Sequence, residues 1–160
     1  MLVTSRTLWW TPRARPVRIS ALLELYERNF RMVEQLVPEL DLPFEDVQSH
    51  SRSDLSLRLT VLERGPYTAV FRLTYEFAAE SGKTFAPDLS VRVYRDARLA
   101  EALNNTGRPM WRAVGEGDPE AGCYLDSQWE RNLMLHKWLH YLLEHGHGFG
   151  LAARPRAAKL

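Results

Sequence analysis

The hydrophobic period changes twice along this chain, and that change most constrains its fold. Apolar residues recur at spacings of three and four between residues 20 and 37, alternate with polar ones between residues 55 and 94, and return to helical spacing from residue 125. The first spacing is typical of an amphipathic helix, whereas alternation is typical of a strand with one buried face. The sequence therefore predicts strands bracketed by two helices.

The first helix is predicted to begin at Ser20, a residue type that often caps helix N-termini, and to end near Val37. Pro38 disfavours a helical conformation in the residue before it. Asn29 falls within the apolar stripe, where an unpaired amide would be costly. We therefore expect Asn29 to bind the backbone of a loop or strand.

Alternation predicts a hairpin of residues 55–62 and 67–77, joined by a turn at Gly65-Pro66, and a third strand at 89–94. The first of these strands is predicted to bury the face that carries Leu55, Leu57, Leu59 and Val61. Residues 97–103 satisfy both periods, so they form either a helix capped by Asp96 or a fourth strand. We favour the strand.

These elements predict an α+β fold in a single domain over residues 19–150. An antiparallel sheet of three to four strands, connected as a meander, is covered by an N-terminal helix and a long C-terminal helix. Residues 104–124 collect glycine and proline and are expected to form a long loop. A chain of 160 residues is long enough to bury one core without metal or disulfide support.

The two ends of the chain are basic, although its net charge is only +1. Residues 1–18 and 151–160 hold seven basic residues and no acid, which leaves −6 on residues 19–150. We expect a flexible basic N-terminal segment and a basic C-terminal tail that solvate the domain. Nucleic-acid contact through these tails is a weaker alternative, because nucleic-acid modules normally carry a basic stripe on a folded face.

The C-terminal helix is predicted to span residues 125–150 and to contain four of the five histidines. A helical wheel places His136 and His140 on its inner side, which makes them weak candidates for a metal site. A site needs at least a third ligand, and none stands at a diagnostic spacing. We therefore predict neutral hydrogen-bonded histidines, no metal and no cofactor. His145 and Gly146 resemble a helix C-terminus.

The chain is expected to be cytoplasmic. Its single cysteine, Cys123, cannot form an internal disulfide, which favours a reducing compartment. The first 16 residues lack the apolar run of a secretion signal, and no stretch is apolar for long enough to span a membrane.

Polar side chains near the end of the third predicted strand are the candidate binding site: Arg92, Tyr94, Asp96 and Glu101. Polar residues at a strand end beside a long loop often contact a partner, so we favour a non-enzymatic binding or adaptor protein whose partner is an unknown protein or small molecule. The alternative is an uncharacterised enzyme in which Asp96 or Glu101 acts as acid or base while Arg92 holds an anion. A structural hydrogen-bonded turn would also account for Tyr94 and Asp96.

Several motifs together resemble the YqiB-like family of uncharacterised gammaproteobacterial proteins, from about residue 20 to 146. The motifs are Leu25-x-x-x-Asn29-Phe30, Leu36-x-Pro38, Val91-Arg92-x-Tyr94-x-Asp96-Ala97-x-x-Ala100-Glu101 and Asn132-x-x-Leu135-x-x-Trp138-Leu139-x-x-x-Leu143-x-His145-Gly146. The resemblance implies a small cytosolic bacterial domain of unknown function and supplies no catalytic residues. The family pattern does not call for histidine at 136, 140 or 147, which weakens the metal hypothesis.

Overall fold

A computed structural model describes residues 18–38, 45–76, 88–103 and 121–150. In chain order the elements are α1 (Ile19–Leu36), β1 (Asp46–Ser49), β2 (Leu57–Arg64), β3 (Thr68–Tyr75), β4 (Asp88–Tyr94), β5 (Leu99–Ala102) and α2 (Ala121–Glu144). Apart from Arg18, the predicted basic end segments lie outside the described residues, and so does most of the predicted loop at 104–124.

The five strands form one antiparallel sheet in the order β1-β2-β3-β4-β5. This confirms the α+β meander and the prediction of a strand rather than a helix at 97–103. The sheet has one strand more than the three to four predicted, because β1 was missed. A four-residue strand offers only two residues per face, too few to show a period.

Both helices pack on one face of the sheet, and the core lies between the helices and this face. Alternate residues of β2, β3, β4 and β5 point into it. The largest fully buried side chains of this core are Phe71, Phe149, Leu36, Leu57, Leu59, Leu73, Leu135, Leu139 and Leu142. Leu55 was predicted to join this face but is 45% exposed, because β2 begins only at Leu57.

The opposite face of the sheet carries charged and polar side chains. Arg58 donates two hydrogen bonds to Asp46, at 2.9 and 2.5 Å, and Arg72 forms the same two-pronged contact with Asp88. Each pair joins neighbouring strands. We call this surface the open face, since neither helix covers it.

Helix α1 begins earlier than predicted. Arg18 occupies the N-cap position and makes no side-chain capping hydrogen bond, whereas Ser20 lies inside the helix. Ile19 is already helical, so Ser20 cannot take the extended conformation that a capping residue needs. The helix ends at Leu36, as the proline at 38 requires.

Helix α2 is shifted relative to the prediction of 125–150, since it begins at Ala121 and ends at Glu144. The amide of His147 donates to the carbonyl of Leu142 at 3.0 Å, and the amide of Gly146 to that of Leu143 at 3.2 Å. With Gly146 at φ +79°, this is a Schellman motif, which confirms the predicted role of that glycine. The chain then leaves the helix axis, and the amide of Phe149 donates to the carbonyl of Leu36 at 2.7 Å. None of the helices described is long and apolar enough to cross a membrane.

Candidate functional site

The β4–β5 hairpin brings three of the four predicted site residues together on the open face. Arg92 lies directly opposite Glu101 in the strand register. The phenol of Tyr94 donates a hydrogen bond of 2.7 Å to Glu101 Oε1 and also interacts with Arg92. We call Arg92, Tyr94 and Glu101 the hairpin cluster.

The phenol of Tyr94 stays protonated in this environment. Burial raises its pKa first, the hydrogen bond to Glu101 raises it further, and Arg92 offsets part of the rise. A protonated phenol that donates to a carboxylate is a poor base. Tyr94 is therefore held in the hairpin cluster as a hydrogen-bond donor to Glu101.

Asp96 lies apart from the hairpin cluster, in the exposed turn at 95–98 that joins β4 to β5. Among the described residues, no hydrogen bond or ion pair joins Asp96 to Arg92 or Glu101. The turn itself is anchored, since Arg95 Nη2 donates to the carbonyl of Gly65 at 2.7 Å. Asp96 therefore lies on a turn that is anchored to the neighbouring turn between β2 and β3.

His136 belongs to a buried amide network between the helices and β5. Its Nδ1 lies 3.1 Å from Asn29 Oδ1, and Asn29 Nδ2 donates to the carbonyl of Asn132 at 3.2 Å. Asn132 Oδ1 in turn accepts the amide of Ala102 at 2.8 Å, at the edge of the sheet. Asn29 therefore binds backbone as predicted, but that backbone is helical. Burial, then Arg28 and His140, lower the pKa of His136.

His140 was predicted to face inward, and this was wrong. Its side chain is 63% exposed and lies 3.3 Å from Glu144, one turn further along α2. The buried stripe of α2 instead runs through Asn132, Leu135 and Leu139, which turns the face carrying His140 away from the core. The described residues contain no group of three or more side chains that could hold a metal, so no third ligand joins His136 and His140 there.

A second polar cluster, which the sequence did not predict, surrounds His147. Its Nδ1 lies 3.1 Å from Ser49 Oγ and its Nε2 lies 3.0 Å from Asp54 Oδ2. Tyr75 donates to the same carboxylate oxygen at 2.8 Å, and Trp138 Nε1 donates to the Tyr75 hydroxyl at 3.2 Å. We call these five residues the His147 cluster.

Asp54 is ionised in this cluster. Its burial raises the pKa, but hydrogen bonds from Tyr75, from the amide of Leu55 and from His147 outweigh that effect and lower the pKa below 3.8. Tyr75 responds in the opposite sense, because burial and its bond to Asp54 raise its pKa to about 12 even though Trp138 opposes the shift.

Ser49, His147 and Asp54 have the connectivity of a hydrolytic triad, but their surroundings favour a structural role. The side chain of His147 is 0% exposed and that of Asp54 is 8% exposed. The Ser49 hydroxyl oxygen also accepts the amide of Gly148 at 3.0 Å. A nucleophilic serine must reach substrate beside donors that stabilise an oxyanion. Here the amide of Gly148 instead donates its hydrogen bond to the hydroxyl itself.

Comparison with known proteins identifies the family. A family model described as "Protein of unknown function (DUF1249)" matches residues 32–148. The chain belongs to the DUF1249 family. The uncharacterised protein YqiB of Escherichia coli K12 is 30% identical over 125 residues, which cover 78% of this chain and 88% of YqiB. YqiB of Escherichia coli O157:H7 matches to the same extent. The predicted YqiB-like resemblance is confirmed, and no solved structure matches this DUF1249 chain.

Proposed function

We propose that this DUF1249 protein is a cytoplasmic binding or adaptor protein that contacts its partner through the β4–β5 hairpin. In this proposal residues 19–150 form the binding domain and the basic segments at either end solvate it. The single observation that carries the proposal is the hydrogen bond from Tyr94 to Glu101, with Arg92 opposite Glu101 in the register. It fixes three charged or polar groups on a surface that neither helix covers.

A fixed polar pattern suits recognition because the side chains lose little conformational entropy when a partner binds. The hairpin cluster is half-buried rather than enclosed, so a partner can reach it. The exposed turn beside it presents Asp96 as a further contact. Together they offer charges of both signs, the arrangement that gives an interface its specificity.

The enzyme alternative would need Arg92, Asp96 and Glu101 to converge on one substrate. Glu101 is already bonded to Tyr94, and Asp96 lies apart in the turn. This separation favours binding over acid-base catalysis. The nucleic-acid alternative gains little from the open face, because Arg58 and Arg72 are each paired with a carboxylate there.

Photo-crosslinking in the source organism tests the proposal. A photoreactive amino acid at Ala97, in the exposed turn, should give a discrete crosslinked product. The matched control at Glu130, exposed on α2, should not. The product should disappear when Glu101→Gln is combined with Arg92→Gln, and it should persist with Glu24→Gln, which removes an exposed charge from α1. Equal products from both crosslinker positions, or a product that survives the double substitution, would refute the hairpin as the contact surface.

A further inference from the structure

A small apolar cluster lies beside the hairpin cluster and apart from the main core. Its buried members are Leu22 and Tyr26 of α1, and Leu99, Leu125 and Trp129 pack against them from β5 and α2. Leu99 lies directly opposite Tyr94 in the strand register, and opposite residues share a face of the sheet. The apolar cluster therefore continues the surface that carries Tyr94 and Glu101, around the outer strand of the sheet.

Two exposed side chains of α1 extend this apolar cluster towards solvent. Ile19 is 64% exposed and Leu23 is 42% exposed. They lie four residues apart, so they share one face of the helix, and each is three residues from Leu22 or Tyr26. Contiguous exposed apolar surface of this kind is typical of an interaction site. We call Ile19, Leu23 and Leu99 the α1 patch.

Opposite charges lie at the two ends of the α1 patch. Arg18 adjoins Ile19 at the N-cap of the helix, and Glu27 lies one turn beyond Leu23. Both are exposed, and neither forms an ion pair with a side chain in the described part of the chain. The other charged residues of α1 lie on other sides of the helix or are already paired: Glu24, Arg28, Arg31, and Glu34 with Arg98. A partner that covers the patch gains from an acid near Arg18 and a base near Glu27.

The outer edge of β5 is closed to an added strand. The amide of Leu103 donates to the carbonyl of Ser90 at 2.8 Å, so alternate amides of β5 face β4 and those of Ala100 and Ala102 face outward. Asn132 Oδ1 already accepts the Ala102 amide at 2.8 Å, and both alanines are fully buried. The exposed ridge of α1 instead suits another helix, which packs its side chains into grooves of the same spacing.

We propose that the partner of the hairpin binds with an amphipathic helix, whose apolar side packs on the α1 patch. A basic side chain of this helix meets Glu27 and an acidic one meets Arg18. These two charges lie about 14 Å apart, since nine residues of α1 separate them at 1.5 Å each. The inference rests on the proposed function, because the same partner also contacts the hairpin cluster.

Photo-crosslinking of the full chain at two further positions separates this inference from the proposed function. Ser20 is exposed beside the patch, and Gln35, exposed near the other end of α1, is the matched control. We expect a photoreactive amino acid at Ser20 to capture the same partner as one at Ala97, and one at Gln35 to capture none. A product from Ala97 without one from Ser20 overturns the helix inference and leaves the hairpin proposal standing. No product from Ala97 refutes both.

The mass of the Ser20 product distinguishes the occupants of the patch. A partner protein gives a product heavier than this chain by the mass of that partner. A product of twice the mass of this chain means that a second copy covers the patch. A crosslink within one chain means that another segment of the same chain covers it. Either of the last two results overturns the inference.

A synthetic peptide with the crosslinked sequence tests the chemistry of the contact. Leu23→Asp and Glu27→Lys should each weaken its binding to the full chain at least about tenfold, measured by fluorescence anisotropy. The matched controls should leave affinity unchanged: Met134→Asp replaces an apolar residue that is 44% exposed on α2, and Glu130→Lys reverses an exposed charge there. Circular dichroism should show that the peptide gains helix when it binds, and thermal unfolding reports whether each variant is folded. The inference is overturned if the bound peptide is not helical, or if folded Leu23→Asp or Glu27→Lys retains wild-type affinity.

Discussion

His147 Nε2 lies 3.0 Å from Asp54 Oδ2, and this contact ties the residues that follow α2 to the loop between β1 and β2. The imidazole is fully buried and its other nitrogen faces Ser49. A buried pair of this kind stabilises a fold only while both partners and their hydrogen bonds are present. The His147 cluster therefore makes the chain beyond the helix part of the core.

His147→Ala should destabilise the protein strongly. The substitution leaves the buried carboxylate of Asp54 without its imidazole partner, and removing one member of a buried pair costs about 3–5 kcal/mol. We expect the free energy of unfolding, measured by urea denaturation, to fall by about 3 kcal/mol or more. His140→Ala replaces an exposed histidine within α2 and should change the free energy of unfolding by less than about 0.5 kcal/mol. Similar losses for both variants would contradict this account.

Asp54 should make the fold sensitive to acid. The folded state lowers the pKa of Asp54, so its stabilisation is fully present above the unfolded pKa of about 3.9. That stabilisation is lost as the pH falls through the lower folded value. The difference in unfolding free energy between wild type and Asp54→Asn should therefore shrink below about pH 4. Asp96→Asn, on the exposed turn, controls for the loss of one carboxylate. A wild-type advantage that is constant down to pH 2.5 would rule out this linkage.

The helices and the three central strands follow from sequence because each contains enough residues for its period to show. Leu57 and Leu59 alternate with polar residues over a full strand, whereas β1 shows only Val47 and Ser49 on its inner face. The predicted inward orientation of His140 was wrong for a different reason. The buried stripe of α2 runs through Asn132 and Leu135. The helical wheel alone does not give this rotation of the helix, because it depends on where α1 and β5 lie.

The two polar clusters also differ in how far they could be predicted from sequence. The hairpin cluster could be predicted because Arg92, Tyr94 and Glu101 lie within one short hairpin, where alternation places side chains on a known face. The His147 cluster could not, because Ser49 and Asp54 lie more than 90 residues from His147 in sequence. No spacing rule connects residues that meet only through tertiary packing. The one local signal for this cluster was the position of His147 directly after Gly146, the glycine that ends the helix.

Asn132→Ala should weaken the attachment of α2 to the sheet edge. The substitution leaves the amide of Ala102 without its acceptor, and an unsatisfied buried amide costs about 1–3 kcal/mol. We expect faster hydrogen exchange at the Ala102 amide as well as lower stability. Asn29→Ala removes the hydrogen bonds from Asn29 to α2 but keeps the Ala102 bond, so it should lower stability without that local change. Unchanged exchange at Ala102 in Asn132→Ala would show that this bond is unimportant.

Gly146→Ala should cost about 1 kcal/mol through backbone conformation alone. A methyl group at this position would meet no atom within 4 Å, so no clash contributes, but φ is +79°. Gly148→Ala is the matched control, because a methyl group there also meets open space and φ is not in the left-handed region. It should be neutral or slightly stabilising, since alanine restricts the unfolded chain. Equal unfolding free energies for the two variants would exclude backbone strain as the cause.

Arg98 allows the cost of its backbone conformation to be separated from the benefit of its side chain. Arg98→Ala keeps the positive φ and loses both the Glu34 bond and the Phe30 contact, which contribute about 0.5–1 kcal/mol each at exposed sites. Arg98→Gly loses the same contacts but removes the steric cost of a left-handed residue, about 1 kcal/mol. The glycine variant should therefore be more stable than the alanine variant by about 1 kcal/mol in thermal or urea unfolding. If alanine is the more stable, the turn does not hold this residue in the left-handed region in solution.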